Sequence, residues 1–200
     1  MNSLTDTASI FRYHREMIAH YGNNNSHALG WRDDQSQLIR FQVLSQIGDL
    51  NHHSVMDVGC GHADLCPYLK AIYPDCRYLG VEQIPELLDR AIERYGHLPE
   101  TLLFLGDFLT SPLPAADYVL ASGSLNYSSS DPEFIYKAIS KLFESSRVGF
   151  GFNLLRSVSQ TGLLKAYNLD TIWAYCQELT TKAVLKDDYS EEDFTIFLYH

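Results

Sequence analysis

The run SVMDVGCGHAD, from Ser54 to Asp64, admits few folds. Val55, Met56 and Val58 form a short apolar stretch of the kind found in a parallel strand buried on both faces. It stops at Gly59 and Gly61, which allow a sharp turn and a close backbone approach that a Cβ would block. Leu65, Leu69 and Ile72 then recur at helical spacing, with Asp64 placed to cap the helix they begin. Strand, glycine turn and helix together open a nucleotide-binding βαβ unit.

Carboxylates select the nucleotide. A dinucleotide's pyrophosphate sits over the glycine turn and the helix N-terminus. Asp57 at the strand end and Asp64 at the third-glycine position of G-x-G-x-x-G would repel it. Both would instead favour a cationic ligand carrying an ammonium and a sulfonium. Glu82 closes a second apolar strand, Arg77 to Glu82. An acidic side chain there accepts hydrogen bonds from ribose hydroxyls.

On these residues the sequence resembles the class I S-adenosylmethionine-dependent methyltransferases. VMDVGCG (Val55 to Gly61) is similar to their first motif, LGVE (Leu79 to Glu82) to the second and FLGDF (Phe104 to Phe108) to the third. DYVLASG (Asp117 to Gly123) resembles the strand that follows, and the matches span roughly residues 38–155. Ala63 stands where many members carry a third glycine; alanine there should still allow close helix–strand packing.

The resemblance implies an α/β, Rossmann-like methyltransferase fold. Its seven-stranded sheet is mostly parallel with helices on both faces, and the last strand is antiparallel, inserted between the fifth and sixth. It implies S-adenosyl-L-methionine as cofactor. Asp57 would act on the methionyl ammonium, while Gly59, Cys60 and Gly61 make the turn beneath it. Glu82 would clamp the ribose, and Gln83 and Ile84 would line the adenosine. Asp107, after Gly106, would take the adenine amino group, with Phe108 offering its N–H or ring. Ala121 and Ser122 complete the cofactor set.

Two hundred residues suit one domain: residues 1–37 as an N-terminal helical cap or lid, 38–200 as the core. Ile10, Tyr13, Met17 and Ile18 carry a first helix, broken by the polar cluster Gly22 to Ser26. Asp33 and Asp34 open a second, with Leu38, Phe41, Leu44, Ile47 and Leu50 in steps of three. Trp31 between them either packs that helix or closes over the methionyl end of the cofactor, where Arg32 or a tyrosine hydroxyl would meet the carboxylate. Further on, Asp170 is placed to cap the last helix. Residues 182–186 and 194–199 form a closing antiparallel pair, since no helix intervenes.

The acceptor is left to residues 1–37, the 123–131 loop and 153–169. Tyr21, Asn126, Tyr127 and Asn153 are the candidate substrate contacts. GSLNY (Gly123 to Tyr127) occupies the place where amide and amine methyltransferases of the group often carry Asn-Pro-Pro-Tyr. The proline pair is missing, so that chemistry is not supported. In-line displacement at an activated methyl gains from orientation and exclusion of water. A general base is optional, and no catalytic residue is singled out; His62 reads as a turn filler.

A net charge of −10 with no Lys/Arg cluster argues against nucleic acid and for a small-molecule acceptor. Cys60, Cys66, Cys76 and Cys176 lack metal-ligand spacing and read as buried free thiols, so no metal is expected. No apolar run reaches about 18 residues and no signal segment is evident, so a cytoplasmic protein without a membrane partner is expected. Oligomeric state stays open. The alternatives are a non-catalytic binder of the same cofactor and a nicotinamide oxidoreductase, the latter disfavoured by Asp57 and Asp64.

Overall fold

The computed structural model describes residues 2–158 and 162–200. Helix α1 (Asn2–Tyr21) ends at Gly22, whose φ of 76° no other residue type adopts readily. A single 3₁₀ turn, Ser26–Leu29, follows, held by the Asn25 side chain accepting from the Ala28 N–H. Helix α2 (Asp34–Leu44) starts in a capping box, in which the Asp33 carboxylate accepts from the Ser36 N–H at 2.6 Å. Phe41, Leu44, Ile47 and Leu50 are buried, as their spacing predicts.

Strands and helices follow in the order β1 (Ser54–Val58), α3 (Leu65–Ile72), β2 (Arg77–Glu82), α4 (Pro85–Tyr95), β3 (Thr101–Leu105), β4 (Ala116–Ala121), α5 (Phe134–Glu144), β5 (Ser146–Leu155), α6 (Leu169–Leu179), β6 (Ala183–Lys186) and β7 (Asp193–Tyr199), alternating except between β3 and β4 and between β6 and β7. The sheet order is β3-β2-β1-β4-β5-β7-β6. Only β7 runs antiparallel to its neighbours, lying between β5 and β6 as the resemblance implies. Chain order reverses at β1, which has β2 on one side and β4 on the other. A crevice opens at the carboxyl ends of the strands at such a switch point.

Alternation along β1 divides the core. Met56 and Val58 join Val119, Phe150 and Phe152 under α5 and α6. Val55 joins Tyr78, Leu120 and Phe197 against α2 and α3. Asp57 is on the same side as Val55, because side chains repeat with a period of two.

Local details depart from expectation. Asn168, not Asp170, caps α6, its side chain accepting from the Thr171 N–H at 2.9 Å. Asp64 precedes α3 but makes no capping bond; its carboxylate accepts from Arg94 at 2.8 Å and the Tyr95 hydroxyl at 3.1 Å. Its charge is therefore compensated from α4. Ala63 adopts a left-handed φ of 58°, so the residue in the third-glycine position carries backbone strain as well as close packing. All four cysteines are buried and free. Among the described residues, no helix is long and apolar enough to cross a membrane.

Candidate active site

A cavity of about 920 Å³ lies at the carboxyl ends of the parallel strands, in the size range of small-molecule sites. Its floor is the turn after β1. Gly59 and Gly61 have φ of 71° and 56°, and the N–H groups of Gly59 and Cys60 both donate to the Val81 carbonyl. A Cβ on Gly59 would lie 2.5 Å from Ser124 Cβ, and one on Gly61 would lie 2.7 Å from Leu29 Cδ2. The glycines thus make room first for two protein side chains that line the same cavity.

Asp57 is almost wholly buried at the cavity wall. Its Oδ2 accepts from the Tyr78 hydroxyl at 2.6 Å, and its Oδ1 has no partner. Burial, partly opposed by the Tyr78 bond and reinforced by Glu82 and Asp64, raises its carboxyl to about 7. Two further buried polar atoms on cavity-lining residues lack partners, Ser122 Oγ and Arg40 Nε. An acceptor, a hydroxyl and a cationic donor are the set that an amino acid's ammonium and carboxylate would satisfy.

Glu82 is committed more deeply than its position alone predicts. Oε1 accepts from the N–H groups of Gln83 and Ile84, and Oε2 from Gly61, all at 2.8–2.9 Å. A carboxylate offers about four acceptor positions, so one remains, on Oε2. Burial raises its carboxyl, with the three backbone donors opposing. Asp107 closes an Asx turn, accepting from the Leu109 N–H and the Thr110 hydroxyl, and each oxygen keeps room for a second donor.

Trp31, Cys60, Gln83, Ile84, Gly106 and Phe108 line the cavity with them, as do Asn126 and Tyr127. Three expected contacts do not. Ala121 is fully buried one residue short of the lining Ser122. Tyr21 is exposed and packs on His20 and His27, because the chain turns away at Gly22. Asn153 is buried in β5, where its Oδ1 accepts from the Gly123 N–H and fixes the loop after β4. Arg32 lines the cavity rim but is engaged by Asp33 and Glu192, both carboxylates.

Sequence reading missed His14 and Arg40. Arg40 forms a buried ion pair with Asp193 at 2.6 Å and lies 4.7 Å over the Trp31 ring. His14, on α1, hydrogen-bonds Tyr127 at 2.6 Å. His62, read as filler, is buried, and its Nε2 donates to Asn23 Oδ1 at 2.7 Å. That bond ties the glycine turn to the segment after α1.

A family model described as "Methyltransferase domain" matches residues 56–145. A Mycobacterium tuberculosis protein, "Putative methyltransferase Rv1506c", is 31% identical over 157 residues, covering 72% of this chain and 92% of its own. This chain belongs to the class I S-adenosylmethionine-dependent methyltransferases. Two solved structures share its architecture. Magnesium protoporphyrin IX methyltransferase from Synechocystis PCC 6803, solved with bound SAH, has a TM-score of 0.64 at 13% identity, covering 82% of this chain and 81% of that one. The pyocyanin biosynthetic protein PhzM has a TM-score of 0.64 at 14% identity, covering 83% and 56%. The cofactor of this methyltransferase is S-adenosylmethionine, and the unpaired Asp57, Ser122 and Arg40 atoms with the spare Glu82 position are a donor and acceptor set that fits it.

Proposed function

We propose that this chain transfers a methyl group to a small, largely apolar molecule bound beneath α1. One observation carries the reading: the cavity lined by Asp57 and Glu82 is lined as well by the apolar Ile10, Phe134, Leu163 and Leu164. Asp57 would hold the methionyl ammonium, and Arg40 with Ser122 its carboxylate. Glu82 would take one ribose hydroxyl through Oε2, and Asp107 would meet the adenine. Trp31 and α1 would exclude water from the transfer.

Of the 153–169 stretch expected to shape the acceptor compartment, Ser157, Val158 and Gly162–Leu164 line the cavity, and 159–161 lie outside the described residues. Acidic groups outnumber basic ones around the cavity, and Arg40 is already paired with Asp193. Such a site favours a cationic cofactor with a neutral acceptor over any phosphorylated or nucleic-acid acceptor. The structural relatives named for magnesium protoporphyrin IX and pyocyanin biosynthesis support a small-molecule acceptor.

Calorimetry with S-adenosylmethionine, S-adenosylhomocysteine and NAD tests the cofactor half. Binding of the first two without NAD is expected; preference for NAD would overturn it. Formation of S-adenosylhomocysteine with a panel of uncharged aromatic acceptors tests the other half.

A further inference from the structure

His14 is a polar side chain only 3% exposed, in the cavity wall. Its Nδ1 is 3.1 Å from the Ala28 carbonyl oxygen, which only accepts, so Nδ1 carries the ring proton. The lone pair of Nε2 therefore receives the Tyr127 hydroxyl, 2.6 Å away. Tyr127 also lines the cavity, and its oxygen keeps lone pairs for another donor. A pure packing role would be met by two apolar side chains without desolvating an imidazole and a phenol. We propose that Tyr127 and His14 form a proton relay that deprotonates a hydroxyl acceptor, making this chain an O-methyltransferase.

The inference rests on the small-molecule reading above. In the relay, the acceptor's hydroxyl proton passes to Tyr127 Oη while the Tyr127 proton passes to His14 Nε2, giving an imidazolium held by Ala28. The acceptor oxygen displaces the thioether from the methyl carbon: its C–O bond forms as the C–S pair leaves on sulfur. His14 later returns its proton to solvent. Burial, only partly opposed by the Ala28 bond, lowers His14 below its ordinary range and keeps it neutral at rest. Burial, then Tyr13 and Glu82, raises Tyr127, so the phenol holds its proton until the acceptor arrives. The titratable groups facing the pair are Tyr13 on α1, Glu82 at the end of β2 and His62 in the glycine turn.

Naphthol, naphthylamine and naphthalenethiol, matched in shape, test the relay in the full chain. A thiol ionises without assistance, so it reports damage to packing alone. His14→Gln and Tyr127→Phe are expected to lower kcat for naphthol by about 10²- to 10⁴-fold, with KM changed little and a far smaller loss for the thiol. Tyr127→Phe keeps the ring, so it covers the case in which His14→Gln folds poorly. Nitrogen NMR of His14 should show an Nδ1–H tautomer in the wild type. Equal losses for naphthol and thiol, wild-type kcat in both variants, or cofactor binding with no transfer to naphthol would each overturn the relay. Failure to bind S-adenosylmethionine at all would instead fail the functional reading beneath it.

Discussion

The Tyr78 hydroxyl donates to Oδ2 of Asp57 at 2.6 Å, while Oδ1 of the same carboxylate is buried without a partner. Half of this group is satisfied by the fold and half is left for a ligand. Buried carboxylates in that condition destabilise the empty protein in exchange for a prepared cation site.

Asp57→Asn should therefore stabilise the protein and weaken cofactor binding. Asp57 is raised to about 7 when folded, from an ordinary value of 3.8. Across that window the folded state holds a proton that the unfolded chain has lost, so stability falls as pH rises through it. The wild type should be less stable than Asp57→Asn by roughly a few kcal/mol above neutral pH, with the gap closing toward about pH 4. Denaturant titrations of both proteins across that range check the trend. A gap independent of pH would mean that Asp57 is ionised throughout. Wild-type affinity for S-adenosylmethionine should also fall below about pH 7, as Asp57 gains its proton.

Glu82→Ala should fail in two ways at once. It strands three backbone donors, each costing roughly 1–3 kcal/mol when buried without a partner, and removes the free Oε2 position. Thermal midpoint and cofactor affinity should both drop, the affinity by tenfold or more. Glu82→Gln, which keeps Oε1 for Gln83 and Ile84, should lie between. An unchanged midpoint in the alanine variant would show that the three bonds contribute nothing.

Gly59→Ala and Gly22→Ala separate strain from collision. Both glycines have φ above 70°, but a Cβ on Gly22 meets nothing within 4 Å. Gly22→Ala should cost about 1–2 kcal/mol from backbone strain alone. Gly59→Ala adds a collision with Ser124, whose hydroxyl donates to the Val58 carbonyl at 2.7 Å, and should cost clearly more and abolish cofactor binding. Equal losses would mean that the turn relaxes around the added methyl.

Deleting residues 1–32 should leave the core folded while weakening cofactor binding. Several attachments of this segment are polar: Asp6 to Ser129 and Ser130, Arg15 to Glu86, Asn23 to His62 and the Glu86 carbonyl, beside the packing of Leu29 on Gly61 and Trp31 on Gly123. Trp31, under the Arg40 guanidinium and against Gly123, should report cofactor binding by fluorescence, over a background from Trp173. Cooperative unfolding of the truncated chain and a raised dissociation constant are expected. Wild-type affinity would show that the segment is no part of the cofactor site, and loss of folding that it belongs to the core.

The glycine turn, Asp57 and Glu82 were legible because each follows from residues close in sequence: a strand end, a turn, a helix start; the place of β7 between β5 and β6 came from the family resemblance instead. Asp57's unpaired oxygen was not, since it depends on Tyr78 reaching across from the neighbouring strand. His14 and Arg40 were hidden for the same reason on a larger scale. His14 meets Tyr127 across 113 residues and Arg40 meets Asp193 across 153. No local pattern marks either partner. Asn153 and Tyr21 went astray in the opposite sense, as polar residues in suggestive places whose side chains the fold spends on a loop and on solvent.

Helix α1 precedes in the chain every segment on which it rests: the 3₁₀ turn, Glu86 and the loop at Tyr127 to Ser130. Chains generally fold from the N-terminal side as they are made. Here the part of that docking made by Tyr127 to Ser130 waits until the fourth strand and its loop exist. The wall that α1 gives the cavity is thus closed only after the glycine turn has been made, and a growing chain would own its cofactor floor before it owns a ceiling.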